Sequence, residues 1–144
     1  MTLPQPAPLV LRGLRFDASR PAVMGIINRT PDSFYASARY LDDDAALARA
    51  VQMVDEGVDL IDVGGVRAGQ EGEWIDEATE IARVRPFVLA LRERFPLLPI
   101  SLDTWRAEVA KACEGAVDLV NDTWQGADAD LVHVAATLDA GYVV

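Results

Sequence analysis

The sequence has little cysteine, little histidine and a shortage of basic side chains. Its 144 residues include one cysteine, Cys113, and one histidine. These exclude a disulfide within the chain and are too few for a structural zinc site. The chain has 13 basic against 23 acidic residues, a formal charge of −10. The electric field of this net negative charge repels phosphates, so neither a nucleic acid nor an anionic membrane is expected as a partner.

Long hydrophobic runs are also missing. No apolar stretch approaches the roughly 18 residues of a membrane-spanning helix, and the start MTLPQPAPLV lacks a basic region followed by an apolar one. We therefore expect no membrane partner and a cytoplasmic location, which also suits a single cysteine. With 51% hydrophobic residues, the chain can bury the core of one globular domain.

The apolar pattern predicts alternating strands and helices after a short hairpin. LVLRGLRFD (9–17) alternates in polarity about Gly13, as a small β-hairpin does, and we expect it to cap the core. Strands are predicted at 23–28, 58–65, 99–103 and 117–122, with another beginning at 142, and helices at 43–56, 74–94, 105–115 and 131–138. This order predicts a parallel α/β sheet. No strand is followed by Gly-x-Gly-x-x-Gly or Gly-x-x-x-x-Gly-Lys, which leaves the TIM-type (β/α)8 barrel.

Each predicted strand of the parallel sheet ends in a polar side chain. These are Asn28, Asp62, Asp103, Asn121 and Asp122. In a parallel barrel the carboxyl ends of the strands meet at one rim, where barrel enzymes carry their chemistry. An Asp between a strand and a helix is also a typical N-cap, and capping remains an alternative for Asp103.

Four motifs at these strand ends carry a resemblance to a known family. They are Asn-x-Thr-Pro-Asp-Ser-Phe at 28–34, Ile-Asp-Val-Gly-Gly at 61–65, Ser-x-Asp-Thr at 101–104 and Val-Asn-Asp at 120–122. Together they resemble the pterin-binding family, specifically the dihydropteroate synthases. The resemblance implies a magnesium-dependent transferase of folate biosynthesis, which joins 4-aminobenzoate to a dihydropterin diphosphate and releases pyrophosphate.

The resemblance also implies roles for individual residues. Asp103 and Asn121 would bind the aminopyrimidine edge of the pterin, because a carboxylate accepts adjacent N–H groups and an amide both donates and accepts. Asp62 would contact the pterin or hold the rim together. Asn28 would be a single protein ligand of Mg²⁺, which keeps several waters and bridges to phosphate oxygens. Arg29 and Arg67 are candidate phosphate contacts, although we favour solvent exposure for Arg29.

The sequence departs from the family pattern in two loops. The segment 66–71 reads Val-Arg-Ala-Gly-Gln-Glu where the family has Glu-Ser-Thr-Arg-Pro-Gly, and Tyr-Ala-Ser-Ala at 35–38 replaces Ser-Asp-Gly-Gly. Trp124 and Gln125 stand where smaller residues are usual. These changes make 4-aminobenzoate a doubtful partner and predict a divergent paralogue with weak or no activity.

Length limits what the 144 residues can form. A barrel of this type needs about 250 residues, so we expect residues 1–144 to be the N-terminal part of a single pterin-binding barrel domain. They would supply its first four to five βα units, a half-barrel that is inactive alone and tends to form homo-oligomers. The sequence leaves two alternatives: a non-catalytic pterin-binding or partner subunit, and a folate-dependent methyltransferase domain, against which Thr-Pro-Asp-Ser-Phe argues.

Overall fold

The computed structural model describes residues 7–30, 42–66 and 74–144. An antiparallel hairpin of β1 (Leu9–Leu11) and β2 (Leu14–Phe16) comes first. Strands and helices then alternate: β3 (Met24–Asn28), α1 (Asp43–Asp55), β4 (Leu60–Gly64), α2 (Glu77–Arg94), β5 (Ile100–Asp103), α3 (Ala107–Ala112), β6 (Leu119–Asn121), α4 (Leu131–Thr137) and β7 (Gly141–Val143). The alternation predicted from the sequence is confirmed. None of the helices in these ranges is long and apolar enough to cross a membrane.

Strands β3 to β7 form one parallel sheet, in which their order follows the order of the chain. Consecutive strands of a (β/α)8 barrel are arranged in this way. The register places Asn28 opposite Gly64, Gly64 opposite Asp103, and Asp103 opposite Asn121. The carboxyl ends of four strands are therefore aligned, which brings their last side chains to one edge.

One face of the sheet packs against the helices and forms the main core. Ile27, Ile61 and Leu102 on this face are fully buried, and they belong to one cluster with Phe87 and Leu91 of α2. Because side chains alternate along a strand, the neighbouring positions lie on the opposite face, which we call the open face. Its sequence therefore need not be apolar, and this face carries the polar strand ends.

The N-terminal hairpin covers part of the open face at the amino ends of the strands. Leu11 and Phe16 from the hairpin form a second buried cluster with Leu60 of β4 and Leu119 of β6. The expectation that the hairpin caps a core is confirmed. Towards the carboxyl ends, three side chains of the open face, those of Asn28, Asp103 and Asn121, are half-buried.

Short polar residues and glycine set the ends of the first two long helices. The Asp42 side chain accepts a hydrogen bond from the backbone N–H of Asp44 at the start of α1, and the Asp76 side chain accepts one from that of Thr79 in α2. Gly57 follows α1 with φ +96°, a conformation that glycine adopts without strain. The sequence predicts these ends of α1, with Asp42 or Asp43 as the cap and Gly57 as the stop.

Candidate functional site

Four polar side chains meet on the open face near the carboxyl ends of β3 to β6. Three of them are the last residues of strands whose ends are in register: Asn28 of β3, Asp103 of β5 and Asn121 of β6. Asp62 lies on the same face of β4, two residues before Gly64. A Cβ built on Gly64 would lie 3.3 Å from Oδ1 of Asn28 and 3.5 Å from Oδ2 of Asp103. The missing side chain of Gly64 thus leaves a polar recess between an amide and a carboxylate.

Asp62 is the buried centre of this group. It is only 3% exposed, and its Oδ1 accepts a hydrogen bond of 2.5 Å from the Ser101 hydroxyl. Its Oδ2 accepts a longer bond of 3.4 Å from Nδ2 of Asn121. Burial raises the pKa of Asp62, against the opposing effect of these two donors. The contact with Nδ2 orients the Asn121 amide and leaves its Oδ1 available to accept from a ligand.

Asp103 is the group at this edge whose charge is easiest to change. Burial, followed by the negative charge of Asp62, raises its pKa to about 7. Thr123 donates a hydrogen bond of 3.0 Å to its Oδ1. The capping alternative for Asp103 is wrong, because α3 begins at Ala107, whose backbone N–H donates to the Asp128 carboxylate at 2.8 Å. Asp103 is therefore free of a helix-capping role.

Asn28 has the properties of a single oxygen ligand for a hard cation. In the part of the chain that the structure describes, no group of three or more His, Cys, Asp and Glu side chains could hold a metal. The Asn28 Oδ1 borders the recess at Gly64, and Asp103 borders it from the other side. An amide oxygen fits Mg²⁺, which takes one or two protein ligands and completes its shell with water and phosphate oxygens.

The two arginines proposed as phosphate contacts have different outcomes. The expectation that Arg29 reaches solvent is wrong: it is 5% exposed and lies on the helix side of β3. Its guanidinium forms an ion pair with Asp43 and lies 5.0 Å from the centre of the Phe87 ring. Strand alternation explains this, because Arg29 follows Asn28 and points to the other face. The Arg29 guanidinium is thus directed away from the open face that carries the other site residues. Arg67 lies outside the described residues.

A buried ion pair behind the site was missed by the sequence analysis. Glu80 of α2 is fully buried; its Oε1 accepts from the Thr104 hydroxyl at 2.7 Å and its Oε2 from Nη1 of Arg106 at 2.6 Å. Burial raises the pKa of Glu80 in spite of these donors. The signal that could have found it is helical spacing, because Glu80 precedes Val84 and Leu91 on the inward stripe of α2.

All three tryptophans lie together in the loops at the carboxyl edge. The ring centres of Trp74 and Trp105 are 6.2 Å apart, and those of Trp105 and Trp124 are 4.5 Å apart. The Arg106 guanidinium lies 4.0 Å from the centre of the Trp105 ring and 5.4 Å from that of Trp74. Such stacking of a planar cation on aromatic faces helps to shield the buried ion pair from water.

Two adjacent glycines give a prediction that separates the site from the core. In Gly65→Ala, the new Cβ would lie 2.7 Å from Cγ1 of Val84 and 3.2 Å from Cγ of Glu80, so we expect a loss of about 1–3 kcal/mol in the free energy of unfolding. In Gly64→Ala, the three atoms nearest to the new Cβ belong to the site residues Asn28 and Asp103, at 3.3 to 3.5 Å. Urea unfolding should show the larger loss for Gly65→Ala, and equal losses would contradict this assignment.

The comparisons with known proteins agree with the arrangement of the strands. The family described as pterin binding enzyme matches residues 24–144. A protein of Mycobacterium leprae named inactive dihydropteroate synthase 2 is 52% identical over 135 residues, 93% of this chain and 46% of the relative. The chain thus spans about half the length of the curated relatives it matches.

Solved structures of the same family match the fold. Yersinia pestis dihydropteroate synthase, in complex with a sulfonamide drug, has a TM-score of 0.84 at 36% identity, covering 94% of this chain and 50% of that one. The Xanthomonas albilineans enzyme with 4-aminobenzoic acid has a TM-score of 0.80 at 31% identity, covering 95% and 50%. The five-stranded sheet is thus part of a TIM-barrel fold, as the sequence predicted. The chain belongs to the pterin-binding enzyme family, in which it is a divergent paralogue of dihydropteroate synthase.

Proposed function

We propose that the protein binds a pterin on the open face, through Asp103, Asn121 and Asp62, and that its dihydropteroate synthase activity is weak or absent. The observation that carries this proposal is the cluster itself, in which Asp62 holds Asn121 and Asp103 borders the recess at Gly64. The name of the Mycobacterium leprae relative, an inactive synthase, supports the second part. The methyltransferase alternative is not favoured by these comparisons.

The chemistry of a pterin suits these side chains. Its aminopyrimidine edge carries adjacent N–H donors, and the ionised Asp103 carboxylate can accept hydrogen bonds from two of them at once. The same edge also carries an acceptor beside a donor, and the Asn121 amide, which has both kinds of group, can bond to these. Asp62, already bonded to Ser101 and Asn121, acts by orienting the amide. These bonds join side chains that are held on strands of the sheet, so the site is largely formed before the ligand arrives.

The diphosphate of a dihydropterin diphosphate would lie at the end of β3. We propose that Mg²⁺ is held there by Oδ1 of Asn28; when bound, it would offset the negative charge that develops on the leaving pyrophosphate. The chain's own contribution is to place Asn28 beside Gly64 and Asp103, so that the two ends of the ligand are bound at one edge.

The subsite for 4-aminobenzoate is the part that we propose has been lost. Ala68 and Gly69 stand at the positions where the resemblance leads us to expect a threonine and an arginine, and residues 67–71 lie outside the described residues. Without these preformed contacts, the second substrate would not be held in line with the pterin methylene. We therefore expect a protein that binds pterin but joins it to 4-aminobenzoate slowly or not at all.

Calorimetry and a turnover assay test the two parts separately. The full-length protein is titrated with 6-hydroxymethyl-7,8-dihydropterin, and then with its diphosphate in the presence of Mg²⁺. Saturable binding with little or no pyrophosphate released on addition of 4-aminobenzoate is the expected result. The absence of any heat of binding would contradict the proposed function, whereas rapid release of pyrophosphate would show that the loop changes do not impair catalysis.

The raised pKa of Asp103 predicts how pterin binding depends on pH. Only the ionised carboxylate can accept two N–H groups, and the pKa of Asp103 is about 7 in the ligand-free protein. Affinity should therefore be constant above that pH and fall up to about tenfold per pH unit below it. Calorimetry between about pH 5.5 and 8.5 would measure this, and a flat profile would contradict the role of Asp103.

We further propose a cytoplasmic protein whose residues 1–144 form the N-terminal part of one barrel domain. Its single cysteine, Cys113, is buried, which suits a reducing compartment. On the open face, Met24 and Ile26 are 40% and 51% exposed, and Val143 on β7 is 47% exposed. We propose that copies of the 144-residue polypeptide associate with one another and cover these side chains.

Sedimentation of the 144-residue polypeptide tests this oligomer prediction. Ile26 lies at the centre of the exposed apolar side chains of β3, so Ile26→Ser should shift the equilibrium toward the monomer without affecting the helix-side core. Val132→Ser on the exposed side of α4 is the matched control and should change nothing. A monomer at every concentration for the unchanged sequence would contradict the prediction.

A further inference from the structure

We infer that Glu80 is a positioning residue: through Thr104 it fixes the relative placement of Asp103 and Asn121 at the ends of β5 and β6. This inference rests on the proposed function, because it concerns the same pterin site. Glu80 does not touch the open face. It acts from the helix side, through Thr104, which is hydrogen-bonded to Asn121 and directly follows Asp103 in the chain.

The first step of the argument is the position of Thr104. It follows Asp103 directly, and its backbone N–H donates to the carbonyl of Asn121 at 3.2 Å. Thr104 thus joins the end of β5 to the end of β6. Its hydroxyl has a single proton, which it donates to Glu80, while it accepts from the backbone N–H of Arg106 at 3.2 Å. The hydroxyl therefore fixes the turn that leaves the site.

The second step is the rigidity of Glu80. Its two carboxylate oxygens have different partners, Thr104 and Arg106, and Arg106 donates through Nη2 to the carbonyl of Ile75 at 2.8 Å. Glu80 also packs against the end of β4, since a Cβ on Gly65 would come within 3.2 Å of its Cγ. One buried side chain thus holds α2, the end of β4 and the turn after β5 in a single arrangement.

The third step is charge, which gives a readout that packing alone would not move. The acidic groups that face Asp103 are Asp62 from β4, Glu80 from α2 and Asp122 after β6. Each raises the pKa of Asp103, so removal of the Glu80 charge should lower it. Arg106 would lose its counter-ion at the same time and would act in the same direction.

The experiment compares pterin binding by two pairs of variants. Glu80→Gln keeps the size of the side chain but has one acceptor oxygen for two donors, and its matched control is Glu77→Gln, an exposed glutamate on the same helix. Thr104→Val removes the hydroxyl, and Thr104→Ser restores it. Each protein is titrated with the dihydropterin from about pH 5.5 to 8.5, its melting temperature is recorded, and the Asp103 carboxyl is followed by carbon NMR.

Distinct results are expected for the two positions. At about pH 8, where Asp103 is ionised in every variant, Glu80→Gln and Thr104→Val should each bind about tenfold more weakly, the effect of one lost buried hydrogen bond. Glu80→Gln should also move the Asp103 titration to lower pH, whereas Thr104→Val keeps the Glu80 charge and should not. Thr104→Ser and Glu77→Gln should bind as the unchanged protein does.

The outcomes separate this inference from the proposed function. If the unchanged protein does not bind the dihydropterin, the proposed function fails, and the NMR titration of Asp103 in Glu80→Gln still decides whether Glu80 acts on Asp103. If the unchanged protein binds, and both Glu80→Gln and Thr104→Val retain its affinity and pH profile, the positioning role is overturned. Should Glu80→Gln fail to fold, the affinities of Thr104→Val and Thr104→Ser decide whether the positioning role holds.

Discussion

Replacement of Asp103 with Asn is expected to weaken dihydropterin binding by about 2–5 kcal/mol at about pH 8. Asparagine has one acceptor oxygen and one donor group, so one N–H of the pterin would face another donor. The buried N–H groups would then lack partners, which costs more than the bond itself. Because Asn is neutral and nearly the same size, the loss measures hydrogen bonding and charge rather than packing.

The control for this prediction is an aspartate that does not border the site. Asp130, exposed at the start of α4, makes no side-chain cap bond, so Asp130→Asn should bind pterin as the unchanged protein does. Calorimetry measures both variants. The Asp103→Asn profile should also lose the fall in affinity below about pH 7, and equal affinities for the two variants would show that Asp103 is not the pterin ligand.

Removal of Arg106 is expected to cost about 3–5 kcal/mol of folding free energy at neutral pH. In Arg106→Met, the apolar stem still fits between the tryptophans, but Glu80 remains fully buried without its cation. A surface ion pair offers the contrast: Arg49 of α1 and Glu56, which follows α1, lie 3.6 Å apart with both side chains accessible to solvent. Arg49→Met should cost less than about 1 kcal/mol.

The sign of the pH dependence follows from the direction of the Glu80 pKa. Burial already raises this pKa above its value in the unfolded chain, and loss of Arg106 raises it further. Between the two pKa values the folded state binds more protons than the unfolded one, so stability falls as pH rises through that range. The deficit of Arg106→Met should therefore be smaller at about pH 5 than at about pH 8 in urea unfolding. A deficit independent of pH would contradict this account.

The sequence was sufficient for the features that depend on the order of residue types along the chain. Polar residues at Asp103 and Asn121 followed buried strand residues, and parallel pairing then required them to meet at one edge. The Asp42 cap was recognisable because capping is local. Pairings between distant elements were not recognisable from the sequence. One example is the hydrogen bond from the backbone N–H of Ala107, at the start of α3, to the Asp128 carboxylate, because nothing in the sequence near Ala107 indicates an acceptor in the next loop.

Arg29, which was misjudged, and Glu80, which was missed, show the same limit for charged residues. An arginine beside a strand end is usually solvated, yet Arg29 lies under the sheet because Asp43 starts the helix that packs there. Glu80 would be expected on a helix surface, but Arg106, 26 residues later, allows it to be buried. Whether a charged side chain is buried depends on the partner that neutralises it, and that partner can be identified only when the fold is known.

The grouping of the tryptophans makes the edge of the sheet visible to spectroscopy without a label. Trp74, Trp105 and Trp124 account for all the indole in the chain, and they lie in the loops that follow the site strands rather than in the core. Emission on selective excitation therefore reports this edge alone. Electronic coupling between the rings of Trp105 and Trp124, 4.5 Å apart, should give a near-ultraviolet dichroism signal. That signal would register displacement of either loop while the rest of the fold stays intact.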